Sequence, residues 1–234
     1  MLNFTSWDQL LQHYVDDQGR VDYAAWQQQS IAPLQDWLQQ MAAISWGSLS
    51  RSEQLTFWLN LYNALVIDQV LAIYPIRSIR PTWLGIPNWI SFWRFFQRKI
   101  YQQGDQSYSL NDIEHGLIRP QFRDPRIHFA LVCAAIGCPL LRNQAYRSDI
   151  LDQQLDQDAR RFINNPEKVY YQNSTLYCSK IFQWYQQDFI AAATSIPQFI
   201  QPYFVERSES PILTNTTPIR YLPYNWRLNR GSRI

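Results

Sequence analysis

The run Arg126-Ile-His-Phe-Ala-Leu-Val-Cys-Ala-Ala-Ile-Gly-Cys-Pro-Leu-Leu-Arg142 holds one of the chain's histidines and two of its three cysteines, and Ile113-Glu-His-Gly-Leu117 lies just upstream. A thiol, an imidazole and a carboxylate are the minimum set for nucleophilic acyl transfer, so chemistry is sought here first. Gly137 permits an unusual backbone turn and Pro139 suits the first position of a helix, which would put the Cys138 thiol at a helix N-cap where unpaired N–H groups favour a thiolate. The plainer alternative is a small buried hydrophobe. Cys133, inside the apolar run, reads as core, and Cys178 carries no functional signal.

Glu114 falls within the apolar stripe Leu110, Ile113, Leu117, Ile118 of a short helix and therefore needs a buried partner, for which an ion pair with an arginine is the simplest expectation. His115 points to the flank of the same helix. His128 reads as part of a buried strand, Ile127 to Cys133, and at ~3.3 Å per residue that strand sets it roughly 17 Å from Cys138. His115 therefore ranks above His128 as the base, and His128 reads as a hydrogen-bonded core histidine. Asn60 and Asn63, one turn apart on the most apolar helix, either tie backbone groups or furnish polar groups to a pocket; with Arg142 they are the candidate substrate contacts. His13 has no visible partner.

Several elements must position these groups. A first helix opens near Ser6 and ends at Asp17-Gln-Gly19, and a second runs from about Ala24 to Ala43. The strongest, Glu53 to about Ile73, is apolar nearly all round and stops before Pro75, the pattern of a central packed helix. Strands are expected over Phe95 to Tyr101 and Ser107 to Tyr108 around Gly104-Asp105, over Val169 to Gln172 and Leu176 to Cys178 around Asn173-Ser-Thr, and at Ile219 to Tyr224. Ser109 with Asp112 opens the Glu114 helix, and Ser148 and Ser179 open two more. Helices early and strands late predict one α+β domain over 1–234, a central buried helix with flanking helices on an antiparallel sheet.

With 46% apolar and 15% aromatic residues the chain can bury a large core. A net charge of +2 without basic runs argues against nucleic acid. Three irregularly spaced cysteines do not make a disulfide framework, and the N-terminus lacks a signal-peptide pattern, so a cytoplasmic protein is expected. The aromatic 81–96 segment, broken by Pro87 and Arg94, is no transmembrane span; it reads as a loop over the core or a cleft, and as a surface for a protein partner.

Phe57-Trp-Leu-Asn-Leu-Tyr-Asn-Ala64, Ser109-Leu-Asn-Asp-Ile-Glu-His115, Asp124-Pro-Arg-Ile-His-Phe-Ala-Leu-Val-Cys133, Cys138-Pro-Leu-Leu-Arg142 and Ser179-Lys-Ile-Phe-Gln-Trp-Tyr-Gln-Gln-Asp-Phe189 together resemble the successive blocks of the domain of unknown function 547 family, from Trp7 to about Asn229. The resemblance implies a cysteine-peptidase-like (papain-like) or transglutaminase-like site of Glu, His and Cys, matching Glu114, His115 and Cys138, with His128 as the alternative imidazole. Two positions depart from the family pattern: Gly137 stands where serine is frequent, and Asn225 where the tail motif has aspartate.

Two function classes follow. One is a thiol enzyme acting on a peptide or a small amide or thiol substrate, with no cofactor, Cys138 attacking, His115 accepting its proton and Glu114 holding the site. The other is a non-catalytic binding or scaffold domain in which Glu114, Asn60 and Asn63 are buried polar ties. Metal binding by His115, His128, Cys133 and Cys138 is weakest, since no C-x-x-C or H-x-x-x-H spacing is present.

Overall fold

The computed structural model describes residues 2–83, 86–204 and 212–231; Leu84 and Gly85 of the aromatic 81–96 segment lie outside them. Three helices come first: α1 (Thr5–Tyr14), α2 (Tyr23–Gln29) and α3 (Ile31–Ala42). The single helix expected over 24–43 is two, because Ser30 leaves helical geometry at φ −145° before α3 starts again. They wrap α4 (Arg51–Ile73), whose start is fixed by reciprocal hydrogen bonds between Ser50 and Glu53, a capping box. Among the described residues α4 is the one helix long and apolar enough to cross a membrane, and 83% of its apolar window is buried inside the protein, as in a core helix.

The 81–96 segment is not a loop. A two-strand ribbon, β1 (Thr82–Trp83) and β2 (Ile86–Pro87), leads into α5 (Trp89–Gln97), capped by Asn88 through Ser91 N–H at 3.1 Å. The hairpin β3 (Tyr101–Gln103) and β4 (Gln106–Tyr108) turns at Gly104 and Asp105, so the strand expected from Phe95 begins later, α5 having taken its first residues. Ser109 and Asp112 then cap each other and open a widened, π-helical stretch, Asp112–Ile118, that continues as α6 (Arg119–Phe122).

The buried strand expected over Ile127 to Cys133 is absent. Asp124 accepts a hydrogen bond from Arg126 N–H at 2.9 Å and Pro125 takes the next position, which starts a 3-10 turn over Pro125–Phe129. A continuous apolar run does not distinguish a strand from any other buried segment. Ile127 packs with the α1–α4 core and Phe129 with a second cluster built on Phe162, Phe182, Phe189 and Phe199, so His128 lies at the seam of two cores.

After α7 (Leu151–Ile163), β5 (Val169–Gln172) and β6 (Thr175–Ser179) form a hairpin whose turn residues Asn173 and Ser174 both have positive φ, the geometry that matches strand twist. Ser179 caps α8 (Lys180–Trp184), followed by α9 (Gln186–Ala193), α10 (Ile196–Ile200) and β7 (Ile219–Leu222). β7 pairs with β6 in parallel, made possible by the helical crossover between them. The class is α+β as expected, but in place of one antiparallel sheet there are small ribbons and a mixed three-stranded sheet.

Candidate functional site

A cavity of about 820 Å³ lies where α4, α5, the π-helical stretch, the 125–129 turn, α8 and the C-terminal tail meet. Glu114, His115, His128, Cys133 and Cys138 all line it. Asn60, Asn63 and Arg142 do not.

Glu114 is buried, as its place in the apolar stripe predicts, but its partners are not arginines. Tyr185 donates its hydroxyl to Oε1 at 2.5 Å and Tyr62 donates to Oε2 at 3.1 Å. Burial, together with the neighbouring carboxylate, pushes both phenols well above their ordinary range, so they stay protonated donors. The ring of Tyr185 in turn stacks on His128 with centroids 3.7 Å apart. Glu114 thus fixes the plate against which the imidazole lies.

His128 Nε2 is 2.7 Å from Asp188 Oδ2. Arg119 grips the same carboxylate in a fork, Nε to Oδ2 at 2.8 Å and Nη2 to Oδ1 at 3.0 Å. The hydrogen bond from His128 and the Arg119 guanidinium hold the Asp188 carboxyl well below the usual carboxylate range, while burial outweighs the carboxylate's pull and lowers His128. An ionised Asp188 only accepts, so the neutral imidazole carries its proton on Nε2 and leaves Nδ1 as the basic nitrogen. His115 is the opposite case. Its Nδ1 lies 2.7 Å from Arg119 Nη1, which only donates, so that lone pair is occupied, and Nε2 is 3.9 Å from Glu114 Oε1.

No helix follows Cys138; the next begins at Leu151, so the thiol is not at a helix N-terminus. Its sulfur meets other donors instead, Cys133 N–H at 3.0 Å and the Tyr224 hydroxyl at 3.1 Å. Cys133 packs against the core but is only partly buried: it also lines the cavity and is joined to Cys138 in a disulfide across Cα atoms 6.3 Å apart, a closure not foreseen from cysteine spacing. The separating loop makes the turn through Ala134, at φ 60°, and not through Gly137. Gly137 is needed for space: a Cβ there would stand 2.8 Å from the Tyr224 ring. The absence of a side chain at Gly137 therefore lets Tyr224 reach both sulfurs.

This loop is clamped on two sides. Asn63 Nδ2 donates to Ala130 O at 2.9 Å and its Oδ1 accepts from Val132 N–H at 3.1 Å. On the other side Gly137 N–H donates to Asn225 O at 2.7 Å, Ile136 N–H to Arg227 O at 2.8 Å and Asn229 N–H to Ala134 O at 3.0 Å. Lys168, lowered to about 8 by burial, donates to Ile136 O. Asn60 is likewise committed, to Thr56 O, to both backbone groups of Tyr146 and to the Trp7 indole. Arg142 is spent on Asp158 at 2.7 Å and on Gln154 O.

The groups not found from sequence are Asp188, Arg119, Tyr62, Tyr185 and Tyr224. Asp188 had a signal, a carboxylate set between Tyr185 and the fully buried Phe189. Among the described residues, no three His, Cys, Asp or Glu side chains converge to hold a metal ion.

No curated protein and no solved structure matches the chain. The family described as "Protein of unknown function, DUF547" matches residues 46–163, which hold α4, the Glu114–His115 segment, the His128 turn and the cysteine loop. With half its length inside that match, the chain belongs to the DUF547 family.

Proposed function

We propose that the protein is a thiol-dependent acyl-transfer enzyme, papain-like or transglutaminase-like in its chemistry, acting on a peptide or a small amide or thioester. One observation carries this reading: Cys138 shares a cavity with a buried imidazole whose Nε2 is bound to an ionised carboxylate. Nucleophile, base and orienter are then Cys138, His128 and Asp188. His128 displaces His115 as the base, because the strand that would have held it away does not form and because Arg119 occupies the His115 lone pair.

In the disulfide form Cys138 is capped. An external dithiol, itself oxidised to a disulfide, reduces the pair to two thiols. Cys138 then passes its proton to His128 Nδ1 and attacks the acyl carbon; the tetrahedral intermediate collapses as the leaving amine or thiol takes that proton, and water or a second acceptor releases the acyl group from sulfur. Cys133 N–H and the Tyr224 hydroxyl stabilise the thiolate. Glu114 is a positioning residue that acts through Tyr185.

The test is residue-resolved alkylation after reduction, paired with an activated acyl ester. Cys138 should be the fast thiol near neutral pH, should give a stoichiometric acyl-enzyme burst, and should lose both with His128→Ala or Asp188→Asn but far less with His115→Ala. A Cys138 no faster than Cys178, with no burst, would move the protein to the binding or scaffold class.

A further inference from the structure

The outer face of α5 is explained only in part by the cavity, which Trp89 and Trp93 line and Ile90 does not. Ile90 is 82% exposed, Trp93 62% and Trp89 53%, and Ile86, just before the helix, is 69% exposed. At 100° per residue Trp89, Trp93 and Ile90 fall within an arc of about 100°, with Arg94 next to it, while Phe92, Phe95 and Phe96 face inward. A buried apolar face and a second, exposed apolar face on one short helix call for a second apolar medium.

Charge indicates which. From 69 to 104 the chain has no aspartate or glutamate but carries Arg77, Arg80, Arg94, Arg98 and Lys99. Lys99 is paired with Asp112, and Arg80 lies over the Trp89 and Trp226 rings. Arg94 and Arg98 are exposed and make no direct ion pair among the described residues, although Arg98 is near enough to Asp68 to favour its carboxylate. Tryptophans and isoleucine beside arginines, in a segment of one charge sign, match the boundary of an anionic bilayer: indoles at headgroup depth, the aliphatic residue below, guanidinium groups against lipid phosphates.

We propose that α5 docks the protein on anionic membrane surfaces, with Trp89, Ile90 and Trp93 entering the headgroup–acyl boundary and Arg94 and Arg98 meeting lipid headgroups. Trp89 and Trp93 also line the cavity, so the docked cavity would open toward lipid. The inference does not depend on the thiol chemistry.

The experiment is flotation of the full chain with vesicles of phosphatidylcholine alone and of phosphatidylcholine with phosphatidylserine, at low and at physiological salt. Binding should need phosphatidylserine and weaken with salt. Replacing Arg94 and Arg98 by glutamine should weaken it about 30-fold, from roughly 1 kcal/mol per basic residue near such a surface. Ile90→Glu should abolish it, with circular dichroism checking that the fold is kept; Ile90, Arg94 and Arg98 lie outside the cavity lining. The proposal is overturned if the wild-type protein fails to float with anionic vesicles at low salt, if the variants float as well as wild type, or if the ridge instead mediates self-association or protein binding without lipid.

Discussion

Replacing Asn63 by leucine separates a clamp from mere packing. The side chain spans Ala130 O and Val132 N–H, both buried, and leucine fills a similar space without offering either a donor or an acceptor. Two orphaned backbone groups cost about 1–3 kcal/mol each. Leucine's own burial offsets about 1.5–3 kcal/mol, and central values leave a net loss of about 2 kcal/mol. For a chain of this size that lowers Tm by about 4–8 °C. Urea unfolding gives the first measurement, and the rate at which dithiothreitol reduces Cys133–Cys138 gives the second. Asn60→Leu is the control, since its partners Tyr146, Thr56 and Trp7 lie away from the cysteine loop. Asn63→Leu should speed disulfide reduction and Asn60→Leu should not, although both destabilise. An Asn63→Leu protein as stable as wild type, or equal reduction rates in the two variants, would refute the clamp.

Three further outcomes are expected. Gly137→Ala brings a Cβ to 2.8 Å from the Tyr224 ring and should cost about 1–3 kcal/mol by overpacking; combining it with Tyr224→Ala should remove the clash penalty, measured as a double-mutant cycle. Burial lowers His128, so below about pH 6.5 the unfolded chain takes up a proton that the folded one resists, and stability should fall as pH drops; the depressed Asp188 adds a further loss only below the ordinary carboxylate range, and His128→Gln should flatten the first slope in urea titrations at successive pH values. Dialysis against a chelator should leave the thermal transition where it was, whereas a transition lost together with about one bound zinc per chain would establish a structural metal.

What could be read in advance divides by the range of the interaction. The Ser109–Asp112 pair, the turn at Asn173 and Ser174 and the inward Glu114 are local matters of spacing along a few residues, and each is where the sequence puts it, whereas α4 starts two residues before the expected Glu53, at the Ser50 cap. The strand assigned to Ile127–Cys133 failed because burial alone produces an apolar run. Its backbone is satisfied by its own turn, by the Cys138 sulfur and by Asn63, which stands far back in the chain, while the C-terminal tail pairs with the residues that follow, Ala134, Ile136 and Gly137. The distance argument that set His128 aside failed with that strand.

The site groups that escaped notice share one property: each is defined by a contact with no sequence period. Asp188 stands 60 residues from His128, and Tyr224 stands 86 from Cys138. Tyr62 and Tyr185 read as core aromatics, and Tyr62 is buried while Tyr185 is partly so, but their hydroxyls have a second role, donating hydrogen bonds to the Glu114 carboxyl. The same geometry bears on the resemblance to Glu-His-Cys sites. Glu114 touches neither sulfur nor a lone pair of His128; it reaches the imidazole through the Tyr185 ring, while Asp188 makes the direct contact. Removing Asp188 should therefore change the imidazole's proton affinity. Removing Glu114 takes away a charge that also raises His128 and in addition frees the Tyr185 ring, so both variants should shift the pH profile of Cys138 alkylation toward acid, and Glu114→Gln should lower its plateau as well.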